Sequence, residues 1–110
     1  MHEIKAIIRS TRLERVLDAL HEIPDVPGIT VSTVTGFGKR QPPAAGRAGE
    51  FGQVVMTKLE LVVPDAILSQ ALATIVRVAF TGHPGDGKVF VLPVEQALKI
   101  RSGEDGLDAL

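Results

Sequence analysis

Ile67, Leu68, Ala71, Leu72, Ile75 and Val76 recur at i, i+1, i+4, i+5, i+8 and i+9. That spacing buries its apolar side only as a helix laid across a flat partner. The rest of the chain supplies one. His2-Glu-Ile-Lys-Ala-Ile-Ile-Arg9 partly alternates, with Ile4, Ala6 and Ile8 on one face. Ile29 to Phe37 and Val54 to Val63 are rich in β-branched residues, and Lys88 to Leu92 is a fourth apolar run. A second helix is expected from a capping box, Thr11-x-x-Glu14, to about Ile23, with Leu13, Val16, Leu17 and Leu20 as its stripe. Pro24 to Gly28 is a turn, and Asp65, after Pro64, is expected to N-cap the later helix. The order is βαββαβ. With right-handed crossovers it predicts an α+β, ferredoxin-like sandwich: a four-stranded antiparallel sheet with two helices on one face. Val31, Val34, Leu59, Leu61 and Val91 are more apolar strand surface than two helices cover, so a bare apolar face and self-association are expected.

Two segments do not fit regular elements. Gly38 to Gln53 is dense in Gly, Pro and Ala without periodicity, which predicts a flexible loop. Thr81-Gly-His-Pro-Gly-Asp-Gly-Lys88 lies between the second helix and the last strand. Its glycines let bare backbone approach a ligand and Lys88 adds a positive charge, a chemistry suited to phosphate. Gly82-x-x-x-x-Gly87-Lys88 nearly matches a P-loop, but Val89 stands where Ser or Thr would hold Mg²⁺, and the order is helix, loop, strand instead of strand, loop, helix. A P-loop NTPase is therefore rejected. The same glycines would equally serve a plain tight turn. After Pro93 a short helix or turn is expected, then an extended segment and a loose polar tail from Ser102.

The 110 residues form one expected domain, with no cysteine and no apolar run near the ~20 residues of a membrane span. No signal-peptide layout is seen at Met1, so a cytoplasmic location without membrane insertion is expected. Twelve Lys and Arg face thirteen acids, for a net charge of −1, and Trp and Tyr are absent. Nucleic-acid binding is disfavoured on both counts.

Glu3 to Arg9, Ile29 to Gly38, Leu59 to Asp65, Thr81 to Val91 and Ile100 to Glu104 together resemble the PII signal-transduction proteins, in order and over nearly the whole chain. The resemblance implies a homotrimer that binds ATP, ADP or AMP in clefts between subunits, with the need for Mg²⁺ open. It implies that Gly85, Asp86, Gly87 and Lys88 hold phosphates, and that Lys99 and Arg101 reach them across the interface. Thr30 and Val62 fall near adenine and ribose, and Gly38 and Lys39 at the base of the long loop. That loop, including Arg40, Gln41, Arg47, Glu50 and Phe51, would dock on a membrane transporter or a metabolic enzyme. The implied role is regulatory, not enzymatic. As the lone acid of its loop, Asp86 reads as a turn-former, not a catalytic base.

The departures from the family are chemical. With no Tyr in the chain and no Ser or Thr from Gly38 to Val55, nucleotidylation or phosphorylation of the loop is excluded. Met56 stands where the family has a 2-oxoglutarate-binding Lys, and Arg40, beside Gln41, stands where it has a Gln. The usual 2-oxoglutarate response is therefore not expected, whereas adenylate sensing survives. These features resemble a short-loop, PII-like branch. Two other classes stay open. One is a trimeric metal- or small-anion-binding protein linked to transport, with His2, His21 and His83 as scattered candidate metal ligands. The other is a slow ATPase, for which no water-activating residue stands out.

Overall fold

The computed structural model describes residues 1–39 and 51–110. Strands β1 (His2–Ile8), β2 (Thr30–Lys39), β3 (Phe51–Val63) and β4 (Gly87–Pro93) form one antiparallel sheet in the order β2-β3-β1-β4. Helices α1 (Leu13–His21) and α2 (Asp65–Ala79) pack together on one face. This is the ferredoxin-like α+β architecture expected from the βαββαβ order.

The core follows the strand period. Ile4, Ala6 and Ile8 alternate inward on β1 and meet Leu61, Leu59 and Thr57 of β3 in register. Val16 and Leu20 of α1, with Ala71 and Ile75 of α2, close over them. Each large aliphatic side chain so buried contributes about 1.5–3 kcal/mol. Leu59 and Leu61 therefore lie beneath the helices, which corrects their placement on a bare apolar face. The opposite face is a mixed surface. Thr30, Glu60, Lys5 and Phe90 form one row across it, and Ser32, Lys58, Ile7 and Lys88 the next. Lys5 opposite Glu60, and Lys58 Nζ 3.3 Å from Glu60 Oε1, give that face alternating charge.

The β2–β3 hairpin is longer than expected. Phe37 pairs with Gln53, Gly38 with Gly52 and Lys39 with Phe51. Gly38, Lys39, Phe51, Gly52 and Gln53 are thus ladder residues, because the facing backbone groups satisfy one another whatever the side chains prefer. Arg40, Gln41, Arg47 and Glu50 lie outside the described residues.

Helix starts also depart from expectation. The Thr11-x-x-Glu14 box does not form. Ser10–Arg12 is a 3₁₀ turn closed by Arg12 N–H on the Arg9 carbonyl at 3.0 Å, and α1 begins after it without a side-chain cap. The turn uses the residues the cap needed. Asp65 is the first residue of α2 and not its cap, a position that Pro64 takes in extended conformation. The Asp65 carboxylate turns to the start of β1, accepting from the Met1 amino group at 3.1 Å and His2 Nδ1 at 2.6 Å.

Beyond β4 no α-helix forms, and the tail is folded. Leu98 bridges Asp105, Lys99 N–H donates to the Glu104 carbonyl and Gly103 N–H to the Lys99 carbonyl, both at 2.8 Å. A 3₁₀ turn, Gly106–Ala109, follows. Leu107, still 61% exposed, and Leu110 then line a groove with Val26, Pro64 and Ile67.

Candidate functional site

The segment from Thr81 to Lys88 is built around one carboxylate. Asp86 Oδ2 accepts the backbone N–H groups of Thr81 at 2.8 Å and Gly82 at 3.0 Å. Asp86 Oδ1 accepts the Thr81 hydroxyl and, at 2.9 Å, Nε of Arg9. The Arg9 guanidinium also donates from Nη2 to the Pro84 carbonyl at 2.7 Å. His83 N–H closes the inner turn on Thr81 Oγ1 at 3.2 Å. These donors, the Thr81 hydroxyl first and Arg9 second, hold the Asp86 carboxyl far below the usual carboxylate range.

Glycine is required where the loop meets the sheet. Gly87 has φ +103°, and a Cβ there would lie 1.7 Å from the Ile7 carbonyl oxygen. Such a contact is impossible, so only glycine lets β4 start this close to β1. Gly82 and Gly85 also have positive φ, which allows the reversal between them.

Beside this loop lies a cleft of about 320 Å³. Ile7, Val76, Ala79, Phe80 and Val89 make its apolar wall, while Asp86, Gly87 and Lys88 form its polar lip. Because the Asp86 carboxylate is engaged inside the loop, backbone and the Lys88 ammonium are the groups presented to a ligand. This arrangement can seat an anion attached to an apolar body.

A second cleft, of about 280 Å³, lies at the far end of the sheet and contains Gly28, Thr30, Glu60, Val62 and Leu110. Hydrogen bonding with Glu3, then with Lys58, draws the Glu60 carboxyl below its ordinary value. Along β1 the first cleft is at Ile8, opposite Gly87, and the second at Glu3, opposite Val62. Five residues of strand separate them, about 17 Å. Lys99 and Arg101 are exposed on the turn after β4, whose last residue pairs with His2 at that same far end. One chain thus assembles Gly85, Asp86, Gly87 and Lys88, and separately Thr30 with Val62. The turn that carries Lys99 and Arg101 starts from the far end, where Val94 N–H donates to the Met1 carbonyl, and Gly106 N–H closes its base on the Ala97 carbonyl. Gly38 lies on the hairpin arm, five residues past Thr33, extending from the Lys88 end.

Arg9 escaped the sequence reading because its contact spans 77 positions and depends on β1 lying beside β4. Glu60 escaped because a lone strand carboxylate carries no local signal. The Thr81 hydroxyl was the detectable omission, since a Thr at the head of a turn can accept the backbone N–H two residues on, as it does from His83. Of the histidines, His2 is engaged by Asp65, and among the described residues no group of three or more His, Cys, Asp or Glu could hold a metal ion. No helix among the described residues is long and apolar enough to cross a membrane.

Residues 1–104 match the family model described as Nitrogen regulatory protein P-II. The chain is 42% identical to the nitrogen regulatory protein P-II of Rhodospirillum rubrum and 40% identical to that of Azospirillum brasilense, over the full length of each pair. It is 40% identical to nitrogen regulatory protein P-II 1 of Escherichia coli, covering 96% of both chains. Among solved structures, Arabidopsis thaliana PII bound to citrate superposes with a TM-score of 0.81 at 38% identity, covering 99% of this chain and 91% of that one.

Proposed function

Because the chain belongs to the nitrogen regulatory P-II family, a family of signal-transduction regulators and not of enzymes, we propose that it binds an adenine nucleotide in clefts shared between copies of itself. The observation that carries this reading is the division of the site. The glycine-rich loop with Lys88 sits at one end of the sheet, and the segment that carries the exposed Lys99 and Arg101 leaves from the other, where Val94 N–H donates to the Met1 carbonyl. A head-to-tail contact brings one copy's Lys99 and Arg101 to the next copy's Lys88, and a heterologous contact whose rotation closes forms a ring. The family resemblance sets the ring at three.

In this reading Gly85, Gly87 and Lys88 contact phosphates, Asp86 shapes the loop, and Thr30 and Val62 border the base. Gly38 and Lys39 form the root of the segment that carries Arg40, Gln41, Arg47, Glu50 and Phe51 to a regulated transporter or enzyme. Bound nucleotide acts on that segment through the hairpin arm, which leaves the sheet at the end where the phosphates sit. Met56 is 9% exposed and faces Val34, so the position offers no cation to a dicarboxylate, which supports the expectation that the usual 2-oxoglutarate response is lost. Citrate on the Arabidopsis relative favours one second reading, a small carboxylate in place of the nucleotide.

Calorimetric titration with ATP, ADP, AMP, cyclic AMP and citrate, with and without Mg²⁺ and 2-oxoglutarate, tests both readings. Adenylate binding that weakens by roughly 10- to 100-fold in Lys88→Ala and in Arg101→Ala is the expected result, the worth of one charge-assisted contact. Binding of citrate but of no adenylate would replace the nucleotide reading with the second one.

A further inference from the structure

The phosphate loop is not held by its own residues alone. Its central carboxylate is gripped from outside by Arg9, the residue that follows β1, and the same guanidinium ties down the Pro84 carbonyl. Two rigid parts are thereby joined, the end of a core strand and the crest of a loop with three positive-φ glycines. Such a loop has more conformational freedom to lose than any other kind of segment.

We infer that Arg9 is a positioning residue for anion binding: it clasps the loop from behind through Asp86 and Pro84, so that Gly85 to Lys88 are already arranged when a phosphate arrives. This rests on the nucleotide reading above. Three observations separate clasping from direct contact. Arg9 does not line the cleft beside Lys88. Its Nε and Nη2 point at loop acceptors, at 2.9 and 2.7 Å. Its Nη2 also lies 3.4 Å from where a Gly85 Cβ would be, so the guanidinium packs against the loop backbone. The planar fork matters, because one group serves a carboxylate and a carbonyl together, which a lysine ammonium on a flexible stem does not reproduce. A second consequence is electrostatic. Asp86 would repel an incoming phosphate, and the guanidinium against its Oδ1 offsets that charge.

The test combines ATP titration with amide hydrogen exchange on the ligand-free protein, for wild type, Arg9→Ala, Arg9→Lys, Asp86→Ala and the Arg9→Ala/Asp86→Ala double variant. A clasp predicts roughly tenfold weaker ATP binding in Arg9→Ala, partial recovery in Arg9→Lys, and a double variant no weaker than the worse single variant. It also predicts faster exchange of the Thr81 and Gly82 amides in Arg9→Ala, with Ile4 and Ala6 in β1 unchanged. Wild-type ATP affinity in Arg9→Ala overturns the inference. So do additive losses in the double variant, or a loss that grows from AMP to ATP while the loop amides stay protected, since those mark a direct phosphate ligand. A wild-type chain that binds no adenylate overturns the nucleotide reading itself, and the role of Arg9 in binding falls with it. Unchanged exchange at Thr81 and Gly82 overturns the clasp whether or not nucleotide binds.

Discussion

Gly87→Ala is predicted to be the most damaging single-methyl change in the molecule. The added carbon would sit 1.7 Å from the Ile7 carbonyl oxygen, 2.8 Å from the Ile7 carbonyl carbon and 3.3 Å from the Ile8 Cα. All three are backbone atoms of the strand that anchors the core, so no side chain can swing aside. An unstrained contact needs roughly 1.5 Å more than the geometry offers, which must come from β4 lifting off β1. That costs the first ladder hydrogen bonds, about 0.5–1.5 kcal/mol each. Forcing alanine to φ +103° costs about 1–3 kcal/mol more. With two such bonds lost the sum is about 2–6 kcal/mol, a large share of a typical domain's stability of 5–15 kcal/mol. Two internal standards separate clash from strain. Gly103 has φ +73° with nothing within 4 Å of its Cβ position, so Gly103→Ala carries only the backbone strain, about 1–2 kcal/mol. Gly28 has open space and no positive φ, so Gly28→Ala is expected within about 0.5 kcal/mol of wild type. Thermal and urea unfolding at one fixed chain concentration should rank the losses Gly87, then Gly103, then Gly28. A Gly87→Ala loss no larger than that of Gly103→Ala would refute the close approach of β1 and β4.

Two further predictions concern the loop and the core. The folded-state value of Asp86 is depressed, so its contribution is fully present above the ordinary unfolded value near 3.9 and is lost as pH falls through the folded value. The stability gap between wild type and Asp86→Asn should therefore be constant above about pH 5 and narrow on acidification; a gap that widens as pH falls would reverse the sign and refute it. Leu20 is wholly buried between the helices and the sheet, so Leu20→Ala should cost about 2–5 kcal/mol in urea denaturation, and a loss below 1 would contradict that packing.

How far the sequence could be read follows from where each signal resides. Strand and helix order was legible because β-branched runs and helical spacing are local. The inward face of β3 was equally available, since Leu59, Leu61 and Val63 alternate, but apolar Val54, Val55 and Val62 at both parities hid it. Hairpin length was not legible. Gly38 and Gly52 have poor strand propensity, and only their pairing places them in the ladder. The Thr11-x-x-Glu14 spacing was real, yet a cap also needs the preceding turn to leave Thr11 outside the helix by one residue, and Ser10–Arg12 is a turn of its own. The Thr81–Lys88 loop announced itself through glycine density. Its support did not, because Arg9 reaches Asp86 only after the sheet has formed.

The division of the site yields one more prediction, which does not depend on the nucleotide's identity. If each cleft joins Lys88 of one copy to Arg101 of the next, then Lys88→Ala and Arg101→Ala damage opposite sides of every cleft. Rings made wholly of either variant contain no complete cleft. In a three-membered ring that mixes them, going round once must pass from an Arg101→Ala chain to a Lys88→Ala chain one time, whatever the ratio. In the ring's direction of contact, that passage joins an intact Lys88 to an intact Arg101. Every mixed ring therefore holds one complete cleft and about two defective ones. Co-expression with two different affinity tags, followed by purification on both, isolates mixed rings alone. They should bind about one equivalent of ATP per three chains at wild-type affinity, while the parent variants bind only weakly. Recovery in the mixture would be inexplicable if Lys88 and Arg101 served the same chain's site. No recovery, with wild-type rings binding about three equivalents, would show that the two ends of the sheet do not meet.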